Sequence, residues 1–402
     1  MIRQLALRYL PREVDTETIQ LVPPKQGIAK GRIGIGKALY PGVDGVDVGI
    51  RISEFQKHVC IVGTTGSGKT TLAFRIVKQL VEGRYPVWVV DWKRSYRSLK
   101  KVVGGNSIKV FTIGRDVSPF DWNPLLPPPG SDPQSWYAIV CETLERSHVS
   151  GQGVADVVLE HIERLRSLKE PSQVTLQDVK QSVERVKYPG RKGLWQQSSI
   201  RILRSFTYGE GPRRAFNSSN PIRLEKLLTQ NVVFELDMSM PMNLRTFLMD
   251  ILVRWIHLYR LSQGETKNLR HVLLLEECHN LAGTGKDLES GLESVFRELR
   301  SFGQGAIAIT QHPSVLPIWM LGNVHTLIAF SLSHQLDIEA ARRAFFLSYD
   351  EARFFDCLRT GEAIAKVKDR FGATHVGVPN FEVTGGRLGN GEVKKNAEED
   401  LD

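Results

Sequence analysis

Residues 63–70 read GTTGSGKT, which fits the G-x-x-x-x-G-K-[ST] pattern of a phosphate-binding loop (P-loop) between a strand and a helix. Glycines in such a loop let the backbone turn tightly, so that successive N–H groups point at phosphate oxygens. The Lys69 ammonium can reach the β- and γ-phosphates, and the Thr70 hydroxyl can bind Mg²⁺. The sequence therefore predicts a nucleoside triphosphate site; a Gly-rich turn that binds nothing is the alternative. The residues predicted to hold the nucleotide are Gly63, Thr64, Thr65, Gly66, Ser67, Gly68, Lys69, Thr70 and Thr71.

Two adjacent carboxylates, Glu276 and Glu277, directly follow the apolar run at residues 271–275. Successive residues of a strand point to opposite faces, so only one carboxylate would face a metal directly unless the strand ends there. In the predicted division, Glu276 binds Mg²⁺ and Glu277 orients or deprotonates the attacking water, because phosphoryl transfer needs both roles. Two solvated acids at the end of a strand are the alternative.

Two further polar residues are candidates for the same reaction. Gln311 follows the apolar run 306–310, and its amide can contact the γ-phosphate or the water; a structural strand cap is the alternative. An arginine of the preceding stretch, residues 296–303 (FRELRSFG), can stabilise transition-state charge on a neighbour's γ-phosphate if it lies at a subunit edge. Surface arginines more often lay their stems on apolar surface, which is the competing interpretation. Residues 91–94 (DWKR) end another run and are expected near the nucleotide, along a channel, or as a plain cap.

The elements that must position these residues are strand-like apolar runs that alternate with helical patterns. Near-continuous apolar runs are typical of parallel strands covered on both faces. The alternation implies right-handed crossovers and an open α/β sheet, whose ligands collect at the carboxyl ends of the strands. The predicted strands are residues 59–62, 87–90, 232–236, 271–275, 306–310 and 326–330.

The chain is predicted to have an α/β core with three additions. Residues 1–55 are expected to form a small N-terminal β-subdomain or a strand layer added to the main sheet. The core comprises residues 56–122 and 231–380, and a helical insertion at residues 123–230, entered through several prolines, separates its two parts. Residues 381–402 are polar and are expected to be a disordered tail or a strap over a neighbouring subunit.

The composition narrows the class of protein. The 402 residues are 41% hydrophobic and 24% charged, which is ordinary globular composition. The four cysteines include no C-x-x-C pair, which argues against a zinc site or disulfide framework and suits a reducing cytoplasm. No apolar run approaches the roughly 20 residues that span a bilayer, and no signal-like apolar core follows the N-terminus. The net charge of +9 favours a polyanionic partner, nucleic acid first and an acidic membrane surface second.

The ordered combination of motifs resembles the HerA/FtsK superfamily of DNA-pumping ATPases, in particular HerA-like and type IV secretion (conjugation) ATPases. The P-loop alone occurs in many NTPases, so the resemblance depends on the motifs that accompany it. It extends from about residue 34 to about residue 379. The strings that carry it are residues 58–59 (HV), 63–70 (GTTGSGKT), 123–125 (NPL), 277–280 (ECHN), 300–303 (RSFG) and 310–314 (TQHPS).

The resemblance implies a RecA-like (ASCE) P-loop NTPase fold with a mostly parallel central sheet, and ATP and Mg²⁺ as ligands. Lys69 and Thr70 match the residues that bind nucleotide and metal. Glu276 takes the Walker B position, Glu277 the catalytic acid position and Gln311 the sensor position.

Arg300 matches the arginine that acts on the adjacent subunit's ATP in this superfamily, and whether Arg297 or Lys57 assists it is left open.

Three departures accompany the resemblance. Glu276 stands where the family usually has Asp, and Lys57 stands where HerA proteins often have Arg, which makes a bidentate contact that Lys cannot make. The N-terminal region is also short for the HerA β-barrel.

The expected function is an ATP-driven translocase or helicase acting on nucleic acid, most of all duplex DNA bound without sequence preference. It is expected to work as a ring-shaped homo-oligomer, a hexamer by resemblance, in the cytoplasm, with a nuclease or secretion-system partner. Candidate pore contacts are Arg191, Lys192 and Trp195, in a basic glycine-bearing loop at residues 188–195, and the loop 283–286. Alternatives are an ATPase motor for type IV secretion, conjugation or pilus assembly, a viral genome-packaging motor, and a nucleotide-gated scaffold without turnover.

Overall fold

A single large sheet organises the molecule. The computed structural model describes residues 21–40, 45–104, 107–148, 150, 153–170, 173–281, 291–381 and 388–399. The strands in these residues are β1 Ile33–Ala38, β2 Asp47–Ile50, β3 Val59–Val62, β4 Val87–Asp91, β5 Lys109–Ile113, β6 Val232–Leu236, β7 His271–Leu275, β8 Gln304–Thr310, β9 Thr326–Ala329, β10 Glu362–Val367 and β11 Phe371–Gly377. They form one sheet in the order β2-β1-β11-β10-β9-β3-β8-β7-β4-β6-β5.

The predicted parallel sheet is confirmed. Strands β9, β3, β8, β7, β4, β6 and β5 are parallel neighbours. Six of them correspond to the six predicted runs, and all of their residues are buried, as expected for strands covered on both faces. Strand β5, at the edge, and the antiparallel pair of β10 and β11 were not predicted.

Helices cover both faces of this sheet. In the described residues they are α1 Gln26–Ala29, α2 Ile52–Phe55, α3 Lys69–Glu82, α4 Leu99–Val103, α5 Pro133–His148, α6 Val154–Arg166, α7 Leu176–Arg185, α8 Gly190–Thr207, α9 Glu210–Phe216, α10 Leu224–Leu227, α11 Met242–Ser262, α12 Gly291–Glu298, α13 Ile318–Asn323, α14 Gln335–Phe345, α15 Tyr349–Ala352, α16 Phe354–Cys357 and α17 Asn390–Glu399. Side chains of β3 alternate between the two cores: Ile61 packs in the core that contains the apolar residues of α3, and Val62 in the core that contains those of α11. Among the described helices, none combines the length and apolar character needed to cross a bilayer.

The strands β1 and β2 form a layer added to the main sheet beyond β11. Gly34 of β1 donates its N–H to Gln79 Oε1 at 2.8 Å and accepts from Gln79 Nε2 at 3.0 Å, which ties this layer to α3. Arg370, just before β11, forms a buried ion pair with Glu54 at 2.8 Å and donates to the Ala29 carbonyl at 2.7 Å. The N-terminal strands are therefore fixed to the helix that follows the P-loop.

The insertion between β5 and β6 is helical, from α5 to α10. The prediction of a loop at residues 188–195 is wrong, because α8 begins at Gly190. Ile202 and Phe206 are about one helical turn apart and both are buried, so the packing of this apolar face stabilises the helix. The helix begins directly after Pro189. The glycines of the segment had suggested a loop. The other candidate pore segment, residues 283–286, lies outside the described residues.

The polar C-terminal segment also differs from the expectation of a disordered tail or a strap over a neighbour. Residues Asn390–Glu399 form α17, and Leu388 and Val393 are buried against the same chain. Arg97 donates to the Leu388 carbonyl at 3.3 Å. The prediction of disorder is wrong for residues 388–399. The segment has few apolar residues, so its mostly polar composition suggested disorder.

Candidate active site

The P-loop connects β3 to α3 at the carboxyl edge of the sheet. Gly63 and Gly68 have φ angles of 150° and 121°. A Cβ atom at Gly63 would lie 2.7 Å from a side-chain atom of Phe330, which follows β9, and one at Gly68 would lie 2.9 Å from another. Larger residues would displace Phe330 and strain the backbone at both positions, so these two glycines permit the curvature of the loop.

Lys69, the first residue of α3, is folded back onto the loop. Its ammonium donates to the carbonyl oxygens of Gly63 at 2.7 Å and Thr64 at 2.6 Å. The Thr64 N–H in turn donates to the Ser331 carbonyl at 2.8 Å, which holds the loop against the end of β9. Burial lowers the pKa of Lys69 to about 8, although the charge of Glu277 opposes the shift. The ammonium therefore remains mostly charged at neutral pH while it is held by these two carbonyls.

The acid pair lies at the same edge because β7 ends at Leu275. Glu277 has a φ of 50°, so the chain turns immediately after the strand. This is the condition under which both carboxylates can approach one ligand, and Glu276 and Glu277 are only 3% and 6% exposed. A non-glycine residue in this conformation is strained by about 1–3 kcal/mol, and such strain persists only where the surrounding structure enforces it.

Glu276 lies beside Asp91, the last residue of β4, because β4 and β7 are parallel neighbours. Asp91 is fully buried and accepts hydrogen bonds from the backbone N–H groups of Lys93 at 3.0 Å and Tyr96 at 2.8 Å. Burial, together with the charge of Asp91, raises the pKa of Glu276 well above its usual range. The buried Glu276 Oε2 atom accepts no hydrogen bond from the described residues. It is an oxygen that a cation can use.

Glu277 has a different set of partners. Its Oε1 atom forms an ion pair with Lys93 and accepts a hydrogen bond from Gln311 Nε2. His279 Nδ1 lies 3.4 Å from the other oxygen, Oε2. Burial acts to raise the pKa of Glu277, but the contacts with Lys93 and Gln311 outweigh it and hold the pKa below its usual range. Glu277 is therefore ionised at neutral pH.

Gln311 connects the acid pair to the P-loop. While its amide nitrogen donates to Glu277, its Oε1 atom accepts a hydrogen bond from Thr65 Oγ1 at 2.6 Å. A continuous polar chain, Thr65–Gln311–Glu277–Lys93, thus runs from the loop to the end of β4. Four of the stretches selected from the sequence, the P-loop, the acid pair, Gln311 and residues 91–94, meet at one place in the structure.

The donor set fits Mg²⁺ in the presence of a nucleotide. Glu276 Oε2 and the Thr70 hydroxyl are oxygen ligands of the kind that this ion prefers, and Thr70 is half-buried at the N-terminus of α3. Among the residues that the structure describes, no group of three or more His, Cys, Asp or Glu could hold a metal alone. Mg²⁺ is usually bound by one or two carboxylates together with water and phosphate oxygens.

Arg300 is apart from this cluster, at the amino edge of the sheet. It is exposed, and its charge adds to burial in lowering the pKa of His58, the residue before β3, to about 3. Strand β3 has four residues and is therefore ~13 Å long, which separates Arg300 from the P-loop of its own subunit. Lys57 is half-buried beside His58, and the exposed Arg297 forms an ion pair with Glu293 at 3.2 Å.

The sequence had left the role of residues 91–94 open. The structure places Asp91 beside Glu276 and Lys93 on Glu277, so both belong to the site. The only signal in the sequence was an aspartate at the end of an apolar run. Its partner became evident once β4 was seen to pair with β7.

In this sheet the P-loop follows β3, the glutamine follows its neighbour β8, and the buried carboxylates follow β7 on the far side of β8. This arrangement defines the RecA-like class of P-loop NTPases. The fold class predicted from the sequence is confirmed.

Comparisons with known proteins agree with this class. Residues 33–213 match the family model described as "Helicase HerA, central domain". The structure of VirB4 of Thermoanaerobacter pseudethanolicus aligns with a TM-score of 0.67 at 14% identity, covering 87% of this chain and 96% of that chain. The bacterial conjugative coupling protein TrwB in its unbound form aligns with a TM-score of 0.63 at 13% identity, covering 89% and 91%. TrwB in complex with ADP and Mg²⁺ gives 0.61 at 14% identity, covering 83% and 88%. No curated protein matches the sequence.

Residues 33–213 are thus similar to the HerA central domain, and the whole chain shares its fold with VirB4 and TrwB. The resemblance identified from the motifs is thus confirmed. At these identities the structural likeness to VirB4 and TrwB shows the fold, and the functions of those two proteins are not transferred by it.

Proposed function

We propose that this protein hydrolyses ATP and uses the energy to move nucleic acid, most of all duplex DNA, as a ring-shaped homo-oligomer. The observation that carries the proposal is the chain of contacts from Thr65 through Gln311 to Glu277, which joins the P-loop to a buried carboxylate. Neither a solvated acid pair nor a plain strand cap accounts for that burial and those contacts. The match to a helicase central domain supports the coupling to nucleic acid.

In the proposed reaction, the phosphates of ATP bind at the N-terminus of α3, where backbone N–H groups and the helix dipole favour anions. Lys69 leaves the loop carbonyls and binds the phosphates. Thr70 and Glu276 would hold Mg²⁺, which would supply positive charge against the negative charge that develops on the phosphates. Glu277 orients the attacking water and accepts its proton. The Gln311 side chain gives up its hydrogen bond with Thr65 and contacts the water or the γ-phosphate instead.

Arg300 is proposed to complete the site of a neighbouring subunit, because it is exposed and lies at the edge opposite its own P-loop. We expect Arg300→Ala to bind ATP as the wild type does but to lose about 10²-fold or more in kcat, since arginines in this role contribute about 10³–10⁵-fold in P-loop GTPases. Fluorescent-nucleotide titration and phosphate release measure the two quantities. Arg343→Ala, at an exposed arginine of α14, is the matched control and should retain activity. An Arg300→Ala variant with normal turnover would contradict the assignment.

The net charge of +9 supports a polyanionic substrate. Of the candidate contacts on α8, Lys192 forms an ion pair with Glu160 at 2.6 Å and lies 4.1 Å from the centre of the Tyr188 ring. Arg191 is exposed, with its guanidinium 5.4 Å from the centre of the Trp195 ring. Arg191 is therefore the better candidate for a phosphate contact on this helix.

We expect duplex DNA of unrelated sequences to raise the ATPase rate to a similar extent, and the stimulation to weaken between about 50 and 200 mM salt, because contacts with the phosphate backbone release counterions. Steady-state phosphate release with and without DNA tests this. Arg191→Ala should raise the DNA concentration needed for half-maximal stimulation without changing the basal rate. Equal hydrolysis with and without any nucleic acid would contradict the translocase function.

A second candidate is an ATPase motor for secretion or conjugation, which the fold shared with VirB4 and TrwB favours. It uses the same hydrolytic site, so the site does not separate the two functions. Strong stimulation by a membrane-bound component of a secretion apparatus, together with weak DNA affinity, would favour this second candidate.

A further inference from the structure

We infer that Lys93 is a positioning residue for hydrolysis: with Gln311 it holds one carboxylate oxygen of Glu277, so that the other oxygen remains for the attacking water. This inference rests on the proposed ATPase function of the same site. Nothing in the sequence pattern had assigned Lys93 a role beyond a location near the nucleotide, in a channel or in a strand cap.

The backbone around Lys93 is fixed. Strand β4 ends at Asp91, and the Lys93 N–H donates to Asp91 Oδ1 at 3.0 Å. The next residue, Arg94, has a φ of 58° and forms an ion pair with Asp237 after β6. The turn is thereby held on both sides of Lys93. Its ammonium contacts Glu277, which follows the neighbouring strand β7.

The two oxygens of Glu277 are in different environments. Oε1 forms the ion pair with Lys93 and accepts the hydrogen bond from Gln311. These two residues follow β4 and β8, the strands on either side of β7. Oε2 accepts no hydrogen bond from the described residues. His279 is 3.4 Å from Oε2, and its Nδ1 atom is closer, at 3.1 Å, to Thr310 Oγ1. Two anchors on one oxygen restrict rotation of the carboxylate, whereas a single anchor would allow it to turn.

The ion pair is better suited to orientation than to stability. The Glu277 side chain is 8% exposed, but that of Lys93 is 42% exposed, so solvent screens part of the attraction. Gln311 is also shared with Thr65, as its Oε1 atom accepts from the Thr65 hydroxyl. When a nucleotide occupies the P-loop and Gln311 Oε1 gives up Thr65, Gln311 Nε2 and Lys93 both still hold Glu277 Oε1, and Lys93 is the anchor that does not contact the P-loop.

The experiment compares Lys93→Met, which keeps the length of the stem and removes the charge, with Lys93→Arg, which keeps a cation. We expect Lys93→Met to lower kcat about 10-fold, the rate equivalent of one hydrogen bond to a charged group. The KM for ATP and the dissociation constant of a non-hydrolysable ATP analogue should stay within about twofold. Lys93→Arg should recover most of the rate. Lys78→Met, in a surface ion pair with Glu82 on α3, is the matched control.

Three outcomes would overturn the inference, and the first is a normal rate in Lys93→Met. A faster basal rate in Lys93→Met would mean that the ion pair restrains Glu277, and weaker analogue binding with unchanged ADP binding would mean that Lys93 binds the γ-phosphate.

The Glu277→Gln background separates this inference from the proposed function. If Glu277→Gln alone retains full turnover, the proposed function fails; if it is inactive while Lys93→Met is normal, only the role of Lys93 fails. In the double variant, Lys93→Met should cause no further loss in single-turnover rate.

Discussion

Replacing Glu277 by glutamine is expected to stop phosphate release while leaving ATP bound. The two side chains have nearly the same shape, so the amide can keep a contact with Gln311, but it cannot accept a proton from water. General-base catalysis contributes about 10²–10⁴-fold, and we expect a loss of kcat in that range. Single-turnover phosphate release measures the chemical step, and binding of a fluorescent ATP analogue shows that the site is still occupied.

The control for Glu277→Gln is the same change at an exposed acid, Glu265→Gln, which should leave both quantities unchanged. Normal turnover in Glu277→Gln would refute the assigned role of this carboxylate. If the wild-type protein itself retains ATP stoichiometrically without releasing phosphate, the protein is a nucleotide-gated scaffold, and the proposed catalysis is wrong.

Replacing Lys69 by alanine is expected to abolish ATP binding, and hydrolysis with it. Lys69 supplies the ammonium that can move from the carbonyls of Gly63 and Thr64 to the phosphates. We expect at least about 10²-fold weaker binding. The triphosphate would lose a charged contact, and its negative charge would still be removed from water without the ammonium that compensates for the lost hydration. Thermal unfolding with and without ATP measures this directly, since a ligand that binds only the folded state raises its stability.

Two controls accompany Lys69→Ala. The variant leaves two loop carbonyls without their donor, so its nucleotide-free stability can fall by about 1–3 kcal/mol and must be measured separately. Lys78→Ala changes a lysine of the same helix that forms a surface ion pair, and it should still be stabilised by ATP. An ATP-dependent rise in the melting temperature of Lys69→Ala equal to that of the wild type would contradict the predicted nucleotide site.

The sequence predicted the local features of this site well, because each depends on neighbours in the chain. The P-loop spacing fixes a tight turn between β3 and α3, and the end of β7 determines where the acid pair begins. The six inner strands were predicted because their residues are mostly apolar, as burial on both faces favours.

The features that the sequence did not show depend on contacts between distant segments. Lys93 belongs to the site because β4 lies next to β7, and neither pattern encodes that order. The edge strand β5 has only a partly buried face, so its apolar signal is weak. At α8 and α17 the local composition, rich in glycine or polar residues, concealed short apolar faces that pack against the rest of the chain.

In the proposed ring, one subunit binds ATP and its neighbour completes the site with Arg300. Mixing Lys69→Ala subunits, which keep Arg300, with Arg300→Ala subunits, which keep an intact P-loop, tests it most directly. Each variant alone should be inactive, whereas the mixture should recover part of the wild-type ATPase rate, because some interfaces join an intact P-loop to an intact Arg300. A mixture as inactive as its components, formed under conditions in which the wild-type protein assembles, would contradict the account.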